Sequence, residues 1–298
     1  MEHSFCVLPW IHLHSWTNGD VFPCCYAVSN EKTKLGNLQT QTVQEVLNSE
    51  KFRLLRKQMV NGQRPDACSK CHQTEISGFK SMRQQFNQKY TDHHNMIMKT
   101  GPDGYVELDN WKLKYWDIRI SNLCNMKCRT CGPEFSSKWV DDATERQAKK
   151  FPGRKPITVR DDFESLLQEI PNFENTVEEL YFAGGEPLIT QEHWDIIERL
   201  RNANRYDVKI TYQTNLSTLT FKKYSILDVI RDFNNVTVMV SLDHYGKSAE
   251  IIRHGVSYST VENNLNELVK HIKPFVSLTV SNQNIMQLDD IIQEFINN

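Results

Sequence analysis

The chain lacks any apolar run long enough to span a bilayer. Its first thirty residues, "MEHSFCVLPWIHLHSWTNGDVFPCCYAVSN", lack a basic segment followed by an apolar one, so no secretory leader is read and a cytoplasmic location is expected. It lacks an excess of either charge: 35 Lys and Arg face 37 Asp and Glu, a formal net charge of −2. That balance excludes bulk attraction to nucleic acid or to an anionic membrane surface. Internal repeats and low-complexity segments are missing too. What is present is ordinary: 298 residues, 39% apolar and 24% charged, enough for one large domain or two smaller ones around a real core. In a reducing compartment its eight cysteines point to metal binding or catalysis rather than to disulfides.

A further lack is local. In "SNLCNMKCRTCGP" the cysteines Cys124, Cys128 and Cys131 follow C-x3-C-x2-C spacing. No fourth Cys or His lies at short range, since His93 and His94 are far upstream and His193 falls on a predicted helix downstream. A structural zinc site wants four ligands. Three thiolates on a cubane leave one iron open to a small chelator.

The chain divides near residues 91–111, a turn-rich connection with Gly-Pro-Asp-Gly at 101–104 and room for one short strand. Before it, "IHLHSWTNGDVFPCC" carries the Asn18-Gly19 signal of a β-hairpin. Thr42 with Glu45 reads as a capping box, and Ser49 opens a second helix ending at Gly62. From Lys51 to Lys89, nine Lys or Arg oppose Asp66 and Glu75, a solvated helix face or a surface for an acidic partner. After the division, strands and helices alternate. Strands are expected at 113–121, 178–185, 207–215, 235–243 and 275–281. The helices start near Ser136 (to Lys149), Phe163, Thr190, Thr260 and Leu288. Five βα units imply a parallel sheet, open or rolled toward a barrel, with chemistry at the C-terminal strand ends. The cysteine loop, Gly184-Gly185-Glu186-Pro187, Thr214-Asn215 and Ser241-Leu242-Asp243 all follow strands and should converge on one face.

These motifs, in this order over residues 113–298, resemble the radical S-adenosylmethionine (SAM) superfamily. The resemblance implies an α/β fold, a partial (βα) barrel of parallel strands. It implies a [4Fe–4S] cluster on Cys124, Cys128 and Cys131, with SAM chelated at the open iron. Gly184, Gly185, Glu186 and Pro187 match the GGEP element that meets the methionine amino group. Thr214 and Asn215 match the third-strand element, and Ser241, Asp243 and Arg253 the fourth, where a Ser and an Arg hold the SAM carboxylate. The residue before the last cluster cysteine, often aromatic in the family, is Thr130; adenine is then expected against Val280 or Gln283. The match also leaves the barrel one strand short of six.

The N-terminal order Cys6, hairpin, Pro23-Cys24-Cys25, "LGNL", helix and Cys68-x2-Cys71 resembles the twitch or SPASM auxiliary-cluster modules that accompany many radical SAM enzymes, usually C-terminal to the barrel. The resemblance implies a small α+β module at 1–100, the radical SAM core at 101–298, and a second [4Fe–4S] cluster on Cys6, Cys24, Cys68 and Cys71. Cys25 points differently on an extended chain and is read as packed or as standing just behind the ligands. A structural zinc on the same four cysteines is the alternative. The expected activity is reductive cleavage of SAM to a 5′-deoxyadenosyl radical that abstracts hydrogen from substrate, with peptide modification favoured. The implied partners are SAM, an electron donor such as flavodoxin or ferredoxin, and a peptide. The competing class is a non-catalytic metal-bearing module that recruits a partner through residues 51–89. His12 and His14 read as surface or hydrogen-bonded residues; Trp10, Trp16, Trp116 and Trp139 as core or interface; Asp117 and Arg119 as inward charges near substrate.

Overall fold

The computed structural model describes residues 4–142, 144 and 156–297. The chain forms two compact units, Met1–Ile118 with Val159–Glu179, and Arg119–Thr158 with Leu180–Asn298. Each is built from the local signals in its sequence.

The first unit opens with a short helix α1 (Leu8–Ile11), started by Pro9, that runs into β1 (His12–Ser15). β1 turns through Asn18-Gly19 into the antiparallel β2 (Asp20–Phe22), with Gly19 at φ +82°, the left-handed value this turn needs. β3 (Gly36–Asn37) continues on β2, and on its other side β1 pairs in parallel with β4 (Tyr115–Arg119). The capping box of α2 (Val43–Leu47) is in place: Thr42 Oγ1 accepts from Glu45 N–H at 3.2 Å, and Glu45 Oε2 accepts from Thr42 N–H at 2.8 Å. Ser49 caps α3 (Glu50–Val60). Next come α4 (Ser69–Ile76) and α5 (Met82–Lys89), then α6 (Phe163–Gln168) and α7 (Phe173–Thr176). Trp116 of β4 anchors this core, stacked on Phe163 and edge-on to Phe173.

Several expectations change here. Residues 91–111 carry 3-10 turns at Thr91–Lys99 and Leu108–Asn110 instead of a strand. The basic run is not one solvated face: Arg56 is fully buried, donating to the carbonyls of Pro9 and Gly104, and Arg83 is buried as well. Of the two readings of His12 and His14, surface or hydrogen-bonded, the second holds: both are buried, and each Nδ1 meets a β4 carbonyl, at 2.8 Å (Tyr115) and 3.3 Å (Asp117).

The second unit holds the strand–helix alternation of a partial (βα) barrel. β5 (Lys127–Cys128) lies in the cysteine loop. β6 (Glu179–Ala183), α8 (Gln191–Asn202) and β7 (Lys209–Thr214) follow. A small hairpin, β8 (Thr220–Phe221) and β9 (Tyr224–Ser225), leads into α9 (Ile226–Asp232). Then come β10 (Val236–Ser241), α10 (Gly246–Ile252), β11 (Arg253–His254), α11 (Tyr258–Leu268), β12 (Phe275–Ser277) and α12 (Leu288–Asn297). The sheet order is β6-β7-β10-β12, and β10 runs parallel to both β7 and β12. Its core gathers Phe182, His193, Trp194 and Tyr212, all fully buried. α11 starts at Tyr258, two residues earlier than Thr260, because the Ser257 side chain caps it by accepting the Thr260 N–H. The helix expected over 136–149 is a 3-10 turn over Ser137–Asp142; residues 143 and 145–149 lie outside the described residues. Among the described residues no helix is long and apolar enough to cross a membrane.

Candidate active site

β4 ends at Arg119 and delivers the chain into the loop that carries Cys124, Cys128 and Cys131. Hydrogen bonds from within the loop's own segment set its shape. Asn122 donates to the Pro133 carbonyl at 2.9 Å and accepts from Ile157 N–H at 2.8 Å. Ser136 donates to the Met126 carbonyl at 2.6 Å, and the Trp139 indole to the Cys128 carbonyl at 2.9 Å. β5 pairs with β11, so that Cys128 stands opposite Arg253.

The Gly184-Gly185-Glu186 segment at the end of β6 lies directly on this loop. Gly185 N–H donates to the Ser121 carbonyl and Glu186 N–H to the Leu123 carbonyl, both at 2.8 Å. The approach explains the glycines: Gly184 has φ +117°, and a Cβ on Gly185 would stand 2.1 Å from the Leu123 oxygen. Pro187 starts the 3-10 turn that follows.

Glu186 is buried, and burial pushes its carboxyl up to about 7. Three donors nevertheless favour the carboxylate: Asn215 N–H and Thr214 Oγ1, each at 2.7 Å, and Leu188 N–H at 3.1 Å. Thr214 therefore serves the site from behind Glu186. Asn215 turns its amide toward Cys124 Sγ at 3.8 Å and Asn125 Oδ1 at 3.0 Å. On the other wall Arg253 is held by the fully buried Asp243, Nη2 to Oδ1 at 3.1 Å and Nε to Oδ2 at 2.9 Å. Its Nη1 stands 3.8 Å from Cys128 Sγ. Asp243 thus orients Arg253.

One pocket collects these groups: all three cysteines, Arg119, Gly184 to Glu186, Gln213, Asn215, Ser241, Arg253 and Thr279 line it. Tyr181, Gln213 and Ser241 form a polar row across β6, β7 and β10, with contacts of 3.3 and 2.6 Å. Val280 does not line the pocket and is 52% exposed; Thr279 lines it instead. The sequence reading missed Phe135, four residues after Cys131, which gives the pocket an aromatic wall where Thr130 cannot. It faces the Arg119 guanidinium, which also lies over Tyr181.

The first unit has its own thiol cavity, lined by Cys6, Cys24, Cys68 and Cys71 with Arg83. Cys24 follows β2, Cys68 ends a 3-10 turn over Asp66–Cys68, and Cys71 sits one turn later on α4. Cys25 is exposed. Burial pushes the thiols of Cys6 and Cys24 well up, and that of Cys68 to about 12. In the loop, Cys124 rises to about 12 and Cys131 to about 11, chiefly by burial. Metal capture at either site therefore displaces protons. A cubane takes one thiolate per iron, and the donor set present is three cysteines in the loop pocket and four around the first unit's cavity.

The family model described as the radical SAM superfamily matches residues 118–295. SPASM, an iron–sulfur cluster-binding domain, matches residues 6–72. No curated protein matches. Among solved structures, anSMEcpe with bound AdoMet is 18% identical over 62% of this chain and 49% of its own, with a TM-score of 0.44. SuiB of Streptococcus suis bound to SAM is 16% identical over 82% of this chain and 53% of its own, with a TM-score of 0.36. The chain thus spans about half the length of the solved structures it resembles first. The radical SAM family match covers more than half of the chain. This family brings with it a [4Fe–4S] cluster and SAM, and SPASM a further iron–sulfur cluster. The chain belongs to the radical SAM superfamily.

Proposed function

We propose that the chain cleaves SAM reductively and uses the 5′-deoxyadenosyl radical to take a hydrogen atom from a peptide substrate. The observation that supports this most is the single pocket bringing Cys124, Cys128 and Cys131 together with Glu186, Asn215, Ser241 and Arg253. When bound, the cluster supplies the electron that breaks the sulfonium C–S bond. The chain does the rest. Glu186, aligned by Thr214 and Asn215, takes the methionine ammonium. Arg253, oriented by Asp243, and Ser241 donate to the carboxylate. Phe135 gives the nucleoside an apolar wall, and Asn215 polarises the Cys124 sulfur. Arg119, between Phe135 and Tyr181, lines the same pocket. The SPASM-like module favours a peptide, since such modules often serve peptide modification, and a flavodoxin or ferredoxin would supply electrons.

The test is anaerobic reconstitution followed by dithionite and SAM. Formation of 5′-deoxyadenosine is expected, and lost when Cys128 is replaced by Ala. A fully cluster-loaded protein that makes none would overturn the reading.

A further inference from the structure

We propose that Arg83, paired with Glu75, raises the reduction potential of the auxiliary cluster and fixes Cys6 in its coordination shell; this rests on Cys6, Cys24, Cys68 and Cys71 being that cluster's ligands. Arg83 lies on α5, is 4% exposed, and lines the cavity of the four cysteines. Its Nη1 donates to the Phe5 carbonyl at 2.6 Å. One turn later Asn87 donates to the same carbonyl at 2.8 Å and accepts the Val7 N–H at 2.8 Å. Both peptide groups flanking Cys6 are therefore pinned by one face of one helix.

The other edge of the guanidinium reaches α4. Nε and Nη2 donate to the two Glu75 oxygens at 2.9 and 2.8 Å, a bidentate pair. Glu75 is four residues after Cys71, on the same helical face, and also accepts from Ser81 Oγ at 2.5 Å. Arg83 thus ties the Cys6 segment to the helix that carries Cys71. A cubane gains negative charge on reduction. A fixed cation beside it, with little water to screen it, stabilises the reduced form more than the oxidised one. Glu75 acts in the opposite sense.

Charge and scaffolding make different predictions, which separates them. Arg83→Met removes the cation and should make the auxiliary potential more negative. Glu75→Gln removes the anion but keeps a side chain of the same shape, and should make it less negative. Arg83→Lys, charged but unable to hold both Glu75 and Phe5, should shift less than Arg83→Met. The measurement is a potentiometric titration of the reconstituted full-length chain followed by electron paramagnetic resonance, with and without SAM to mark the first cluster's signal. Opposite shifts for Arg83→Met and Glu75→Gln are expected. Shifts of the same sign, or an unmoved Glu75→Gln, overturn the proposal. Should Arg83→Met lose its cluster, the direction of the Glu75→Gln shift alone decides. A parent protein with no second cluster would instead overturn the ligand assignment on which the proposal rests.

Discussion

Gly185 stands against Leu123 so closely that a single added methyl would lie 2.1 Å from the Leu123 carbonyl oxygen. Two 2.8 Å backbone hydrogen bonds close this seam between the β6 end and the cysteine loop. The cysteine loop and the backbone that carries Glu186 are thereby joined main chain to main chain.

Gly185→Ala should therefore separate the two halves of the proposed SAM site. Expected are loss of SAM binding and a destabilisation of about 1–3 kcal/mol, the usual range for forced overpacking. Gly62→Ala is the control: its neighbourhood is empty, and only the cost of a positive φ, about 1–2 kcal/mol, applies. SAM titration by calorimetry with thermal melts checks this. Equal SAM affinity in the two variants would remove the seam from the site.

Arg253 and Asp243 call for a cycle rather than a single change. Arg253→Lys keeps the charge but cannot reproduce the two contacts to Asp243 or reach Cys128. It should weaken SAM binding by at least tenfold, about 1.4 kcal/mol. It also leaves the buried Asp243 poorly paired, which costs stability. Adding Asp243→Asn should return part of that stability without returning SAM affinity. Recovery of both would make Arg253 a folding residue only.

Much of this was legible beforehand because it is local. The Thr42 capping box, the Asn18-Gly19 hairpin and the strand-end position of each motif rest on neighbouring residues. Packing decides the rest. Nothing near Arg56 in the sequence says that it reaches the Pro9 and Gly104 carbonyls, so a basic run looked like one solvated face. The period-2 pattern placed His12 and His14 on one side of β1. Only the parallel pairing with β4, a contact over about a hundred residues, buries that side. Val280 looked like a strand-end residue, yet β12 leaves the sheet at Ser277.

Stability should fall in mild acid. Burial holds His193 down to about 3 and His12 to about 4, against about 6.5 for an exposed histidine. His193 sits with Tyr212 hydroxyl at 2.9 Å from Nε2 and with the rings of Phe182 and Trp194 around it. Below 6.5 the unfolded chain takes up protons that the folded chain refuses. The stability these neutral rings contribute is thus complete above that pH, and is lost as pH falls toward their folded values. Within the window each ring costs up to about 1.4 kcal/mol per pH unit. His193→Gln, which still offers Tyr212 a partner, should flatten the profile of melting temperature between pH 6.5 and 4.5. His12 leaves part of the slope. An unchanged slope would mean that His193 is protonated in the fold.

The two cysteine sites should be separable by function. The proposed SAM pocket is built wholly from Arg119 onward, whereas Cys6, Cys24, Cys68 and Cys71 line a cavity of the first unit. Four thiolates would occupy all four irons of a cubane and leave none for substrate, so the auxiliary cluster would work by electron transfer or by supporting its module. Cys68→Ala should accordingly lower the iron content from about eight per chain to about half, the content of one cubane each. It should also abolish turnover of a peptide substrate, yet preserve the slow formation of 5′-deoxyadenosine without substrate, which needs only the second unit's groups. The measurement is 5′-deoxyadenosine released by Cys68→Ala and by the parent under dithionite, with iron content and spectra taken on the same samples. If SAM cleavage disappears while the first cluster's spectrum persists, the division fails. The auxiliary cluster would then stand upstream, as the route by which electrons reach the pocket of Cys124, Cys128 and Cys131.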